Sequence, residues 1–197
     1  MTLDSRFDEV LSAAADGEDW AWEELYRNLA PDLLKFLAGQ GAADPEDCVG
    51  EVFVHMVRRL DTFDGNQTQF RAWAFTIARN QLIDQWRRDQ RRPISSDRDV
   101  VAAADRLSPV DPEEPATLQR AAVDQILGGL STDQRSVLLL RFLHQFTIPE
   151  TASIMGKTEG AIRVLQHRGL HALRRTLAEH PDDAWLIPAE TFLGSGQ

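Results

Sequence analysis

Apolar residues recur along this chain at helical spacing, and no stretch shows the alternation of a half-buried strand. Phe7, Val10, Leu11 and Ala14 share one face of a helix over 4–15. Over 20–37, Trp22, Leu25, Leu29, Leu33, Phe36 and Leu37 form a second stripe, and Pro31 predicts a break or a new first turn within it. Gly39 to Pro45 reads as a turn. Asp44 is placed to cap the next helix, over 45–60, with Pro45 in its first turn. That helix presents Val49, Val52, Phe53, Met56, Val57 and Leu60. A loop precedes a long helix over 70–90, which Pro93 ends. Helices over 118–127 and from Ser131 to about Leu143 follow.

The next segment carries the pattern of a helix-turn-helix. Thr147 and Glu150 can form a capping box around Pro149, so 148–155 reads as a short helix. Gly156 turns the chain and Thr158 caps a longer second helix. Ile162, Leu165, Gly169 and Leu173 are its buried stripe, with Ala161 beside it, which leaves Arg163, Val164, Gln166, His167, Arg168 and His171 facing outward.

Between the two helical halves the apolar period fails. Residues 93–115 hold four prolines and six acidic side chains, the composition of a flexible linker. The expected fold is therefore all-α, two small helical domains joined by a flexible acidic linker. The expected boundaries are 1–92, a linker at 93–117, a second domain at 118–178 and a tail at 179–197.

Charge sharpens this picture. The chain has a net charge of −10, yet 70–92 and 157–175 each sum to +4. Arginine outnumbers lysine 19 to 2, which suits bidentate contacts to phosphate and guanine where the arginines cluster. Residues 1–70 sum to −10, so the chain should bind DNA poorly by itself and need a partner to supply affinity. No apolar run approaches the ~20 residues of a membrane span, and the N-terminus lacks the pattern of a signal peptide, so a cytoplasmic protein without membrane insertion is expected.

In the helix-turn-helix, the second helix is placed to enter the major groove. Arg163 can donate twice to guanine, Gln166 can pair with adenine, and Arg168, Arg174 and Arg175 suit phosphates. In the first basic helix, Trp73, Ala74 and Ile77 read as core. Arg79, Asn80, Arg87, Arg88 and the loop 63–69 are better candidates for nucleic-acid contact. Catalytic readings fare badly. Asp44, Glu46, Asp47 and Glu51 read as a solvated acidic face, and Ser95 and Ser96 sit in the linker. His167 and His171 are spaced i, i+4 but lack a third metal ligand. Cys48, the only cysteine, reads as a small helix residue. No enzyme, cofactor or metal is expected.

The stretches Trp20–Tyr26, Asp44–Phe53 and Phe70–Asn80, with Leu130–Phe142 and Gly160–Leu170, resemble regions 2 and 4 of extracytoplasmic-function (ECF) sigma factors, in family order over roughly 7–177. The resemblance implies a bacterial transcription initiation subunit without a catalytic site. Its partners would be core RNA polymerase, through the β′ clamp helices and the β flap, promoter DNA, and an anti-sigma factor. By position, Asp47, Glu51, Val54, Arg58 and Arg59 would dock on the clamp helices. Phe63, Asn66 and the following loop, with Asn80, would form the pocket for a flipped base of the −10 element. Arg87, Arg88, Arg91 and Arg92 would hold nearby backbone. Arg163, Val164, His167 and Arg168 would read the −35 element. Gly50 stands where the family commonly has glutamine, Thr147–Ala152 departs from the usual helix start, and the tail with Trp185 and Phe192 lies beyond the family core. Two other classes compete: a stand-alone helix-turn-helix regulator that binds a palindrome without polymerase, and a protein-only adaptor such as an anti-sigma antagonist. The second leaves the arginines of 163–175 unexplained.

Overall fold

The computed structural model describes residues 6–91 and 127–179. Among them are seven α-helices and no strand. They are α1 (Phe7–Ala15), α2 (Asp19–Gln40), α3 (Pro45–Arg59), α4 (Gln67–Arg91), α5 (Thr132–Leu138), α6 (Ile148–Met155) and α7 (Glu159–Glu179). The expected linker, most of the helix over 118–127, and the tail lie outside the described residues. No described helix is long and apolar enough to cross a membrane.

Local chemistry sets most helix starts. Asp44 accepts from the Asp47 backbone N–H at 2.9 Å, with Pro45 in the first turn of α3. Ser131 and Gln134 form a capping box at α5, and Thr147 and Glu150 form another at α6. Each such cap contributes about 1 kcal/mol. The α2 helix departs from expectation: it runs unbroken through Pro31. Its buried stripe of Leu25, Leu29, Leu33, Phe36 and Leu37 spans the proline, and splitting the helix would expose part of that stripe. The hydrogen bond lost at Pro31 is the smaller cost. After α5 the chain widens into a π-helical turn, Leu139–Leu143, and the left-handed residue Gln145, at φ 57, follows it.

The helices of the first half, α1 to α4, pack around Phe7, Leu25, Leu29, Leu33, Phe36, Met56, Phe70 and Phe75. In the second half, α5 and α7 approach so closely that a Cβ on Gly169 would lie 3.2 Å from Leu138. A smaller cluster of Leu130, Leu138, Leu173 and Leu177 closes that end.

The two halves also pack on each other. Val137, Leu140, Phe146, Ala152, Ile154 and Ile162 belong to the same buried cluster as the first half. At its centre the Phe75 ring lies 5.3 Å from Phe36, 4.9 Å from Phe146 and 4.8 Å from the His144 ring. Arg71 donates to the His144 carbonyl at 2.9 Å and to Asp32 at 3.2 Å, and its guanidinium stacks 4.3 Å from the Phe146 ring. Gln40 donates to Ser136 at 2.9 Å. Arg79 and Lys157 both pair with Asp133, at 2.8 and 3.0 Å.

This interface is unusually polar for a core. Gln40 Oε1, Arg71 Nε, Arg79 Nε and His144 Nε2 are buried there without a hydrogen-bond partner. Each such group costs about 1–3 kcal/mol relative to its solvated state. The packing between the halves is thus weaker than its apolar contacts imply.

His144 makes the interface sensitive to pH. Burial lowers its pKa to about 4, Asp32 opposes that shift, and Arg71 and Lys35 add to it. The ring is neutral when packed and must take a proton when released at acidic pH. The stability contributed by neutral packing is complete above the ordinary value of 6.5 and is lost as pH falls toward 4. By linkage the loss near pH 5 is about 2 kcal/mol. In urea denaturation at about pH 7 and pH 5, His144→Gln should show a pH dependence smaller than wild type by that amount. Identical pH dependence in the two proteins would contradict a buried neutral His144.

Candidate nucleic-acid and polymerase interface

The helix-turn-helix is built as its sequence cues require. The Thr147 backbone N–H donates to Glu150 Oε2 at 2.6 Å, and the Glu150 N–H donates back to Thr147 Oγ1 at 3.4 Å. Gly156 turns the chain at φ 60, and Thr158 Oγ1 accepts from the Ala161 N–H at 3.3 Å. Ile162, Gly169, Leu173 and Leu177 are buried, which fixes the rotation of α7. Arg163, Val164, His167 and Arg168 are all exposed, and their i, i+1, i+4, i+5 spacing puts them on one face. Arg163 pairs with Glu159 at 3.2 Å, an exposed i, i+4 contact of small energy. Gln166 differs from expectation: it is half-buried and accepts from Arg141 Nε at 3.2 Å, so it braces the turn before α6. His167, Arg168, His171 and Arg175 open onto one hollow with Gln134. Two arginines there suit an anion better than a metal cation.

On the first half, α3 and α4 flank a groove of about 800 Å³. Asp47, Glu51, Val54 and Arg58 line it from α3, with Gly50 and His55, and Gln81, Asp84, Arg87 and Arg88 line it from α4. Asp47, Glu51, Val54 and Arg58 lie at i, i+4, i+7 and i+11, a single stripe left exposed because Val49, Val52, Phe53 and Met56 face the core. Arg59 is exposed at the end of α3 but does not line the groove. Acidic residues in the first turn and arginines in the last match the helix dipole. Four of the five expected polymerase-docking residues therefore share one surface with Arg87 and Arg88.

The expected −10 residues divide. Phe63 is half-buried, its ring 5.1 Å from Phe70 and 5.2 Å from Trp73. Asn66 is exposed and caps α4: its Oδ1 accepts from the Gln69 N–H at 3.0 Å, and Gln69 Oε1 accepts from the Asn66 N–H at 2.9 Å. Gly65 sits against both, and a Cβ there would lie 2.8 Å from Gln69 Oε1 and 3.0 Å from Phe63. Asn80 is exposed, but the helical rise sets it about 21 Å along α4 from Asn66. Phe63 and Asn66 therefore lie together at the start of α4, and Asn80 stands apart from them. Arg79 is the clearest correction. It is only 9% exposed and held by Asp133, so in this conformation it cannot reach DNA.

Cys48 is buried, with Sγ 3.6 Å from Gln85 Oε1. Burial first, then Glu51, Asp47 and Asp44, raise its pKa, which keeps it a thiol and slows oxidation. Sequence reasoning passed over Asp32, Gln40, Arg71, Asp133, Ser136 and His144. Gln40 and Ser136, for example, lie 96 residues apart, and no local pattern marks such a pair.

Two helical units, one carrying a mixed-charge groove and the other a helix-turn-helix with a basic reading face, define the architecture of a sigma-type initiation factor. The sigma-70 region 2 family matches residues 25–92, and the sigma-70 region 4 family matches 126–175. The chain is similar to the ECF RNA polymerase sigma factor BldN of Streptomyces coelicolor, at 33% identity over 183 residues, covering 91% of this chain and 68% of that protein. It is similar to SigX of Bacillus subtilis at 32% identity over 158 residues, covering 77% of this chain and 80% of that protein. Among solved structures, CnrH in complex with the cytosolic domain of CnrY shares the fold at a TM-score of 0.68 and 24% identity, covering 89% of this chain and 99% of that one. The chain belongs to the ECF RNA polymerase sigma factors.

Proposed function

We propose that the two units divide the work of an alternative sigma factor. Residues 1–92 would bind core RNA polymerase and open the −10 element, and residues 118–178 would read the −35 element. The groove between α3 and α4 carries the polymerase assignment, because Asp47, Glu51, Val54 and Arg58 converge there. Arg59 would extend that contact at the end of α3. Core polymerase supplies the affinity that an acidic chain lacks for DNA. Phe63 and Asn66 would take an unpaired base, Asn80 would contact the strand further along, and Arg87 and Arg88 would hold phosphates. Arg163, Val164, His167 and Arg168 would meet base edges and phosphates in the −35 major groove.

A regulator of anti-sigma type fits this reading. RpoE of Bartonella quintana, which shares the fold at a TM-score of 0.59, is seen in complex with the anti-sigma factor NepR. The chain would act through binding alone, with no catalytic group of its own.

Binding and opening can be separated. Glu51→Arg should weaken core-polymerase binding in a competition assay while leaving the fold intact, since Glu51 is exposed. Retained binding would move the docking site away from the α3 groove. Asn80→Ala should leave polymerase binding unchanged and slow promoter opening, measured by permanganate reactivity of the −10 thymines. Normal opening would remove Asn80 from the site.

A further inference from the structure

Val164 is an apolar residue on an otherwise polar face. Among the described residues of α7 it is the only large apolar side chain left exposed, at 48% of its surface. Its immediate neighbours on that face are Arg163, His167 and Arg168. The burial of Ile162, Gly169, Leu173 and Leu177 fixes its direction from behind. Within a helix a valine side chain keeps nearly a single rotamer, so its two methyls are aimed before any contact forms. The same stiffness makes valine a poorer helix former than the straight-chain residues that suit a solvated position. Helix formation therefore does not explain the residue, and the hydrophobic core does not use it.

What Val164 can recognise follows from what it lacks. It neither donates nor accepts a hydrogen bond. Of the groups that the four bases present in the major groove, only the C5-methyl of thymine is apolar. Any other base edge pressed against Val164 would give up water and gain no partner. A methylated cytosine carries the same methyl, but beside an amino donor, whereas thymine carries it beside the O4 acceptor. Arg163 and Arg168 flank Val164 and are donors only. They match O4 and leave a cytosine amino group unmatched. Glu159, the acid nearest on α7, lies five residues back, about 140° around the helix.

We propose that Val164 selects thymine in the −35 element by packing its methyls on the thymine C5-methyl. The assignment rests on the reading of α7 as the −35 helix. Consecutive Cα atoms lie about 3.8 Å apart and successive base pairs about 3.4 Å apart, so the thymine falls within about two base pairs of the guanine given to Arg163. The preferred −35 element should hold that guanine and that thymine as near neighbours, on the same strand or on opposite strands. Arg163 reads by hydrogen bonds and Val164 reads by shape and apolar contact.

The experiment uses the full chain with core polymerase, in run-off transcription at limiting holoenzyme, on a promoter selected from a genomic library. Each −35 thymine is replaced singly by deoxyuridine, which keeps the base pair and removes only the methyl. At one position near the guanine that responds to Arg163→Ala, transcription should fall about fourfold, the effect of one buried methyl. Val164→Ala should use the thymine and deoxyuridine templates equally. Val164 is exposed and alanine is the better helix former, so the fold is kept. The ratio is taken within each protein, so a general loss of activity does not alter it. A 5-methylcytosine–guanine pair at that position should be used less than the thymine pair. A −35 element without thymine, equal use of both templates by wild type, or a fourfold difference that survives in Val164→Ala would each overturn the proposal. Equal use of 5-methylcytosine and thymine would overturn the choice of thymine. No chain-dependent transcription on any template would instead overturn the sigma-factor role on which the proposal rests.

Discussion

Phe75→Ala is expected to destabilise the protein by about 3–5 kcal/mol, the range for truncating a fully buried phenylalanine. Phe75 has no exposed surface and stands between the halves, with Phe36 on one side and Phe146 and His144 on the other. The Arg71 guanidinium lies 5.3 Å from its ring. The size of the loss reports on the packing as well as the residue. Were the halves apart in solution, Phe75 would lose its contacts to Phe146 and His144, and its truncation would cost less. Urea unfolding of the variant checks this through the shift in midpoint. A loss below about 1 kcal/mol would mean that Phe75 is not buried between the halves.

Arg163→Ala is expected to lower transcription from the cognate promoter by about 1–3 kcal/mol of recognition energy, roughly five- to 150-fold, at one −35 position. Its present partner, Glu159, is an exposed neighbour that a base edge can displace at small cost. A bidentate contact has a signature that a phosphate contact lacks. The loss should fall on promoters carrying the preferred base and vanish on those already mismatched there. Run-off transcription across templates varied at each −35 base measures both. An equal loss on every template would make Arg163 a backbone contact.

How far these assignments were legible in the sequence depends on how local their physics is. Caps act within four residues, so Asp44, Ser131 and Thr147 announced their helices, and the buried stripe of α7 correctly placed Arg163, Val164, His167 and Arg168 outside. Pro31 misled because its local cost is smaller than the burial of the stripe running through it. Arg79 misled for another reason. The α4 helix is packed against α2 and α3 and also against the second half, so its buried residues (Phe70, Ala74, Phe75, Ala78, Arg79 and Leu82) cover about half of its circumference, with Arg79 at the edge of that face. At the edge of so wide a buried face, polar identity alone does not show that Arg79 points outward. The partner that explains Arg79, Asp133, stands 54 residues away. Gln166 reads as an outward adenine contact by periodicity, and only the position of Arg141 turns it inward. The α3 groove was legible in outline, since Asp47, Glu51, Val54 and Arg58 share a stripe, but its far wall on α4 required the fold.

The central claim is that this chain confers promoter choice on core polymerase. Reconstituted run-off transcription with purified chain, bacterial core polymerase and a genomic promoter library tests it most directly. The account predicts new start sites that depend on the chain and share two sequence elements at fixed spacing. Binding of the chain to duplex DNA without polymerase, and no chain-dependent starts, would contradict it.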